Sequence, residues 1–326
     1  MKAAFIVDEA YRAQISSLAD RLVLEPADEA RYFSVSAIPE LEACLDDFDI
    51  LITVHSVVAE VARLFESVHG RIPTLTLQDE ILEHRHCWEK KGRSIQRYRP
   101  VLSDKIAVFG ERSRALLLAW GNPEQKISVT GAARFDAYCA HAAQDSGPIL
   151  LACGDTPFLD KSEDDELFAM FDELIKVCSA GNIPFRFRMP EKVRRRVLAS
   201  AGDFPILRTL CMSDATVEPS PQDVITAGAV VTTPSTGALE AMAAGKAVAL
   251  LHPRDVTVYL SAAWNIRRPQ DMRTVLRELL APPAEKLMYQ SVILGENLLV
   301  ATDATANIVE LIRSMAAGRV RDPVSA

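Results

Sequence analysis

Residues 229–251 of this 326-residue chain read AVVTTPSTGALEAMAAGKAVALL, and they are the clearest guide to its fold. The apolar run 229–233 predicts a buried strand. After a turn of small residues, a helix of about ten residues is predicted from Ser235 to Gly245. The run 247–251 predicts a second strand. A strand, a helix and a strand in this order form the unit from which parallel sheets are built.

Short apolar runs and helical segments alternate along the rest of the chain, which is typical of an α/β protein. In the first half, strands are predicted at 3–7, 32–35, 50–54, 72–77, 106–109 and 127–130, and helices at 9–22, 57–68 and 112–120. In the second half, strands are predicted at 149–153, 185–188, 229–233 and 247–251, and a last helix at 305–315.

The segment between the two halves, about residues 140–148, is polar, rich in small residues and without periodicity, as linkers are. It predicts an N-terminal domain, 1–145, and a C-terminal domain, 146–326. Ligands of doubly wound sheets bind beyond the carboxyl ends of the strands. We therefore expect an α/β protein with two doubly wound, Rossmann-like domains that face a central cleft.

Composition and charge narrow the class of protein. Hydrophobic residues make up 49% and the net charge is −8, so the chain folds around sizeable cores and does not coat nucleic acid as its main role. No apolar run approaches the roughly 18 residues that span a bilayer, and the first residues lack the apolar centre of a signal peptide. Six scattered cysteines without a Cys-x-x-Cys pair predict a reduced, cytoplasmic compartment and a filling role in the core.

The start of the helix in 229–251 is a candidate nucleotide site. Backbone N–H groups and hydroxyls at Ser235, Thr236 and Gly237 suit a diphosphate. Glu240 lies just over one turn into the helix, where its carboxylate can accept hydrogen bonds from ribose hydroxyls. The alternative is purely structural, with Ser235 as a helix cap and Glu240 as a partner of the helix dipole.

Two further groups of residues have simple alternatives. Gly154 and Thr156 follow the predicted strand 149–153 and either reach a phosphate or form an ordinary strand-to-helix turn. The cluster of His84, His86 and Cys87 has no second ligand pair at zinc spacing, so no metal is expected.

Two segments resemble glycosyltransferases with the GT-B fold. The stretch 229–251 is similar to their donor-binding segment, in which a strand, a Ser-Thr or Ser-Gly turn, a helix with Glu and then Gly-Lys-Pro-Val recur. Residues 102–136 are similar to the end of their first domain, where Lys-Ile-x-Val-Thr-Gly-x-Pro-Arg-Phe-Asp is common. Ala247 and Ala133 replace proline in these patterns. UDP-N-acetylglucosamine 2-epimerases and CDP-glycerol glycerophosphotransferases share them, which implies a GT-B-like fold with an acceptor-side first domain and a donor-binding second domain.

Two departures from the resembled family concern chemistry. Its strand near 74–77 is followed by His-Gly, or by Glu-Ala-Gly in the epimerases, whereas this chain has Asp79 and Glu80. A later strand of the family ends in His-Pro, where the imidazole meets phosphate, but here Met189 follows Arg188, and a thioether cannot donate a hydrogen bond. Either Arg188 replaces the lost donor, or phosphate recognition is altered, or catalysis has been lost.

The resemblance places the acceptor in the first domain, and the candidates for a general base there are Asp8, Glu9, His55, Asp79 and Glu80. Each follows a predicted strand, and each is also an ordinary residue of a helix cap or first turn. We favour Asp79, whose carboxylate would take the proton from an acceptor hydroxyl as the sugar is transferred.

The leading hypothesis is a metal-independent, GT-B-like glycosyltransferase or sugar-phosphate transferase of surface polysaccharide synthesis. Its donor would be a UDP-, CDP- or CMP-linked sugar, used as substrate without a separate cofactor. The donor would be held by Ser235, Thr236 and Glu240, with Arg188 and Thr156 as further contacts. One alternative is a UDP-sugar 2-epimerase-like enzyme, which the missing Glu-Ala-Gly disfavours. Another is a degenerate nucleotide-sugar-binding protein without catalysis.

The expected partners are therefore a nucleotide-sugar donor and a glycan or lipid-linked acceptor, and not nucleic acid. No membrane-spanning segment is expected, while peripheral contact with a membrane and a homodimer are both compatible with the sequence.

Overall fold

A computed structural model describes residues 1–23, 26–54, 58–82, 98–140, 147–154, 161–213, 220–252, 260–300 and 303–318. The chain divides into two compact units. The first comprises Met1–Asp136 together with the chain from Glu296 onward, and the second is Ala137–Gly295.

The first unit contains a parallel sheet of six strands in the order β2-β1-β3-β4-β5-β6. The strands are β1 (Lys2–Ile6), β2 (Glu29–Phe33), β3 (Ile50–Thr53), β4 (Thr74–Leu77), β5 (Lys105–Val108) and β6 (Ile127–Val129). Alternate residues of β1 enter two different cores, because Ala3 and Phe5 pack in one and Ala4 and Ile6 in the other. The sheet is therefore covered on both faces, as parallel sheets are.

The second unit contains a parallel sheet of five strands in the order β11-β10-β9-β7-β8. The strands are β7 (Ile149–Ala152), β8 (Phe185–Arg188), β9 (Ala229–Thr232), β10 (Ala247–Leu251) and β11 (Trp264–Ile266). Every residue of β7, β9 and β10 is buried. These central strands carry continuous apolar runs because both of their faces are covered.

Helices connect the strands in both units. They are α1 (Glu9–Leu22), α2 (Ile38–Glu42), α3 (Ala59–Val68), α4 (Glu111–Ala119), α5 (Asp136–Cys139), α6 (Lys161–Ala180), α7 (Glu191–Ala199), α8 (Pro205–Met212), α9 (Pro221–Ile225), α10 (Thr236–Ala243), α11 (Met272–Leu280), α12 (Ala284–Asn297) and α13 (Ala304–Ala317). A glycine with a positive φ, Gly245 at 72°, follows α10 and ends it, as the sequence predicts.

The last helix corrects the predicted domain 146–326. Ile308 and Ile312 of α13 share a core with Leu18 of α1 and with the first sheet, so α13 belongs to the first unit. The returning chain is anchored at Gly110, where an added Cβ would lie 2.6 Å from the carbonyl carbon of Asn297. A hydrogen bond of 2.8 Å from the amide of Leu299 to the carbonyl of Phe109 fixes it further.

Most predicted strands are confirmed: the inner strand β4 begins two residues later than predicted, and the larger differences lie at the sheet edges. The structure has the predicted strands at 50–54, 185–188 and 247–251 to within a residue. The edge strand β2 begins three residues earlier than predicted, because its first residues, the half-buried Glu29 and Ala30 and the exposed Arg31, lack an apolar pattern. The edge strand β11 was not predicted at all.

Three of the cysteines lie in the core of the second unit, as predicted, but Cys139 is exposed and Cys44 is only half-buried, so the predicted filling role is wrong for these two. Cys153, Cys178 and Cys211 are buried. Burial raises the pKa of the Cys178 thiol, and likewise that of Cys211, to about 11. Since the thiolate is the reactive form, these two side chains are inert at neutral pH.

Candidate functional site

The predicted anion site lies where β9 passes into α10. Ser235 precedes the helix with an extended backbone, φ −160°, and its hydroxyl donates to the carbonyl of Thr233 at 3.1 Å instead of capping the helix. The first amides of an α-helix have no acceptor within the helix. The alternative prediction, in which the side chain of Ser235 caps the helix, is therefore wrong. The amides at the start of α10 can still donate to an anion.

Gly154 lies directly against this turn. Its amide donates to Oγ1 of Thr233 at 3.0 Å. A Cβ on Gly154 would lie 2.8 Å from Thr233 Oγ1 and 3.1 Å from Ser235 Oγ, so only glycine fits there without a shift. The structure thus brings together two of the predicted phosphate-binding residues, Gly154 and Ser235, at the carboxyl ends of the neighbouring strands β7 and β9. Thr156 lies outside the described residues.

Glu240 is a buried carboxylate in the second turn of α10. Its side chain is only 9% exposed, and its neighbours in the helix, Leu239 and Ala241, are buried as well. Oε2 of Glu240 accepts a hydrogen bond from the hydroxyl of Tyr138 at 3.1 Å. Tyr138 was not among the predicted site residues, because nothing in its local sequence links it to a helix about a hundred residues further on.

The end of β8 differs from a phosphate site built on histidine. Met189 is fully buried, and its Sδ lies 3.5 Å from Sγ of Cys211. Arg188 donates through Nη2 to Oδ1 of Asp223 and through Nη1 to the carbonyl of Phe187, each at 3.0 Å. Arg188 thus has a structural partner in Asp223, and its predicted contact with phosphate stays a prediction.

Asp223 also caps the start of α9. It forms a capping box with Ser220, whose hydroxyl accepts from the amide of Asp223. Burial by itself favours the protonated carboxyl, but the hydrogen bonds from Arg188 and Ser220 outweigh it and lower the pKa of Asp223 below its ordinary value. The carboxylate therefore binds a proton less readily in the folded than in the unfolded protein.

This lowered pKa predicts a pH dependence of stability. Asp223 makes its full contribution to the free energy of unfolding above the pKa that it has in the unfolded chain, about 4. The contribution is lost as the pH falls through the lower pKa of the folded protein. We expect the difference in free energy of unfolding between the wild type and Asp223→Asn to be constant near neutral pH and to shrink below about pH 4. Urea unfolding from pH 7 to pH 3 measures it, with exposed Asp203→Asn as control. A difference that grows in acid would contradict the assignment.

In the first unit, Asp79 follows β4 and is 7% exposed. Its Oδ1 accepts a hydrogen bond from the hydroxyl of Tyr98 at 3.2 Å. Tyr98 has a φ of 61°, in the left-handed region that residues other than glycine rarely adopt. Its carbonyl accepts from Nδ2 of Asn122 at 2.8 Å, which helps to hold this conformation. The carboxylate of Asp79 is therefore oriented by an aromatic side chain that is itself held in place.

The turn after β4 is held by Gln78. Its Nε2 donates to the carbonyl of Glu80 at 2.8 Å, and its Oε1 accepts from the amide of Phe109 at 2.9 Å. Gln78, Asp79 and Arg134 line a small cavity of about 30 Å³ whose other walls are mostly apolar. Asp79 and Glu80 thus follow a fixed strand end, with Asp79 beside a cavity.

The remaining catalytic candidates lie elsewhere. Asp8 and Glu9 are exposed at the start of α1. His55, His84, His86 and Cys87 lie outside the described residues. Within the described ranges, no three His, Cys, Asp or Glu side chains come together as a metal site. None of the helices described is long and apolar enough to cross a membrane.

The chain matches no protein-family model, and no curated protein matches it by sequence. Solved structures match it over nearly its whole length. S. aureus MnaA, in a co-structure with UDP, is 15% identical, with a TM-score of 0.65 over 99% of this chain and 98% of that chain. The UDP-GlcNAc 2-epimerase of Neisseria meningitidis, bound to UDP-GlcNAc, is 16% identical, with a TM-score of 0.66 over 96% and 100%.

The UDP-GlcNAc 2-epimerase of Methanocaldococcus jannaschii, in complex with UDP-GlcNAc and UDP, is 13% identical, with a TM-score of 0.68 over 96% of this chain and 100% of that chain. Identities this low establish a common fold and no more. These solved structures, together with the two parallel sheets, confirm the predicted α/β fold of GT-B type. They also confirm, at the level of structure, the predicted resemblance to UDP-GlcNAc 2-epimerases.

Proposed function

We propose that this chain binds a UDP-linked sugar in its second unit and inverts the configuration of the sugar at C2. The observation that carries the nucleotide part is the buried carboxylate of Glu240, in a helix whose start packs against Gly154. The solved structures with the same fold support the choice of UDP and of the reaction, since those reported above are named for UDP or as UDP-GlcNAc 2-epimerases.

In this proposal the diphosphate lies at the start of α10. The backbone amides there and the hydroxyls of Ser235 and Thr236 donate to phosphate oxygens, and Gly154 and Gly237 keep the approach free of side chains. Glu240 accepts hydrogen bonds from the ribose. The positive end of the helix dipole stabilises the charge of the diphosphate, so no separate cofactor is proposed.

The reaction requires two proton transfers. Inversion breaks the bond between C2 and its hydrogen, and the electron pair of that bond forms a C1–C2 double bond as UDP leaves C1. Return of UDP to C1 then accompanies the formation of a new C2–H bond on the opposite face of the sugar. One group must therefore accept a proton and another must supply one. We assign the first role to Asp79 and the second to Glu80, with His55 as a further candidate.

A transfer reaction is the second candidate, and the pair Asp79 and Glu80 favours it, because the resembled epimerases have Glu-Ala-Gly there. Asp79 would then accept the proton of an acceptor hydroxyl on a glycan or a lipid-linked sugar.

The buried Met189, in place of a histidine that meets phosphate, favours nucleotide-sugar binding without catalysis.

Two measurements separate these functions. A nucleotide that binds only the folded protein raises its melting temperature, so we expect UDP to do so in a panel with CDP, CMP and GDP. In D₂O, inversion of UDP-GlcNAc should place deuterium at C2, which NMR detects directly. Release of UDP only after an acceptor is added would instead support transfer, and binding with neither outcome would support the non-catalytic function.

If Glu240 accepts hydrogen bonds from the ribose of UDP, Glu240→Gln should bind UDP more weakly than the wild type. We expect UDP to bind about 10- to 100-fold more weakly, since a hydrogen bond to a charged group contributes about 1.5–3 kcal/mol. Ser235→Ala should have a smaller effect, because backbone amides remain. Isothermal titration calorimetry measures both variants, with the exposed Glu285→Gln as control. Equal affinity of Glu240→Gln and the wild type would show that Glu240 does not contact the ribose.

A further inference from the structure

A cleft of about 420 Å³ lies in the first unit, at the edge of the sheet where β4 and β5 begin. Three segments border it: the turn between α3 and β4, the start of β5 and the end of α13. Its volume is within the range of about 300–1,000 Å³ that is usual for small-ligand sites. Asp79 follows the opposite end of β4, so the cleft is separate from the turn that carries the proposed base.

The walls of the cleft carry more positive than negative charge. Arg71 and Lys105 line it, and Asp104 supplies the only carboxylate among the described residues that line it. Oδ2 of Asp104 accepts from the amide and the hydroxyl of Thr74, at 2.8 and 2.9 Å, and its Oδ1 lies 3.7 Å from Nδ1 of His69. The carboxylate is therefore engaged by the protein, and the walls are cationic in a chain whose net charge is −8.

Neither cation is held by a strong partner. Nη2 of Arg71 lies 3.3 Å from Oδ1 of Asp46, and the two side chains are 61% and 87% exposed. Ion pairs this exposed contribute little to stability, so a ligand can replace Asp46 at little cost. In the described part of the chain, Nζ of Lys105 donates only to the neutral carbonyl of Gln125, at 3.3 Å. Guanidinium and ammonium groups of this kind bind phosphate.

The rest of the cleft suits the body of a sugar. Ile72, Pro73 and Met315 line it with apolar surface that can pack against the carbon atoms of a ring. The end of α13 also borders it, through Ser314 and Gly318. The last carbonyls of a helix lie at the negative end of its dipole, so they attract hydroxyl donors and not phosphate. A ligand that carries both a phosphate and hydroxyl groups matches all of these walls.

We propose that this cleft binds a phosphorylated sugar, with the phosphate on Arg71 and Lys105 and the sugar hydroxyls at the end of α13. A free hexose phosphate and a mononucleotide both carry this group. The inference does not rest on the proposed nucleotide site, because that site lies in the second unit and the cleft lies in the first.

Isothermal titration calorimetry of the full chain tests it, with glucose 6-phosphate, UMP, inorganic phosphate and uncharged glucose as probes. Arg71→Gln and Lys105→Gln remove the two cations one at a time, and Asp46→Asn releases Arg71 from its ion pair. The matched control is Arg63→Gln, which neutralises an exposed arginine of α3 that does not line the cleft. Circular dichroism verifies that each variant is folded.

We expect the wild type to bind glucose 6-phosphate, UMP or both, and not glucose. Loss of either cation should weaken binding at least about tenfold, the effect of one hydrogen bond to a charged group. Asp46→Asn should strengthen binding about two- to threefold, because the guanidinium loses a competing carboxylate. Arg63→Gln should bind as the wild type does. The tighter of the two sugar phosphates identifies the source of the ligand.

A wild type that binds neither sugar phosphate would overturn the inference. Unchanged affinity in both Arg71→Gln and Lys105→Gln would overturn it as well, since the ligand would then lie elsewhere. UMP bound only at the proposed nucleotide site would show this result together with weaker binding in Glu240→Gln. Inorganic phosphate that binds as tightly as both sugar phosphates would overturn the assignment of a sugar.

Discussion

Asp79→Asn is expected to slow deuterium exchange at C2 of UDP-GlcNAc by about 10³-fold, while UDP binds as it does to the wild-type protein. The amide has nearly the shape of the carboxylate but cannot take up a proton at neutral pH. Tyr98 can still donate to the amide oxygen, so the strand end after β4 keeps its structure. A loss of turnover without a loss of binding therefore reports on the proton acceptor alone.

The control for this variant is Glu111→Gln, which neutralises an exposed carboxylate of the same unit that pairs with Arg114. It should leave both exchange and binding unchanged. Full exchange in Asp79→Asn would exclude Asp79 as the base and make Glu80 the next residue to replace. Loss of UDP binding in Asp79→Asn would mean that the residue acts on the nucleotide and not on the sugar.

Asp136→Ala is expected to lower the local stability of α13 by about 3 kcal/mol. The carboxylate accepts from the amides of Ala304 and Thr305 at 3.1 and 2.9 Å and from the hydroxyl of Thr305 at 2.6 Å. These groups lie at the start of α13, where the helix provides no acceptors of its own. The aspartate of the Arg-Phe-Asp segment therefore holds the last helix on the first unit.

Amide hydrogen exchange of residues 304–317 measures this loss. The matched variant is Asp303→Ala, at the same helix start, where the side chain accepts from the amide of Ala306 and pairs with Arg21. It removes one capped amide and an exposed ion pair, so a loss of about 1 kcal/mol is expected. Asp136→Asn keeps one acceptor oxygen, so its loss of local stability should lie between those of Asp136→Ala and Asp303→Ala. If Asp136→Ala cost no more than Asp303→Ala, the three hydrogen bonds would not be what anchors α13.

The sequence alone was sufficient for the fold class and for most strands. Central parallel strands such as β3, β9 and β10 are covered on both faces, so they appear as continuous apolar runs that no loop would carry. The edge strands β2 and β11 are half-exposed or short, and their sequences lack that pattern. The position of α13 was predicted wrongly because a helix pattern shows which face is apolar but not which core receives it.

The candidate site divides in the same way. Ser235 and Gly154 could be paired from the sequence, because each follows a predicted strand and the carboxyl ends of parallel strands lie at one edge. The tyrosines that donate to the carboxylates of Asp79 and Glu240 could not be predicted. Tyr98 reaches Asp79 from a left-handed backbone conformation, and Tyr138 lies 102 positions before Glu240 in the sequence. Hydrophobic periodicity and turn residues predict only interactions between residues close in the sequence, within about one helical turn or one strand. Hydrogen bonds between distant side chains exist only after the chain has closed, so tertiary structure alone decides them.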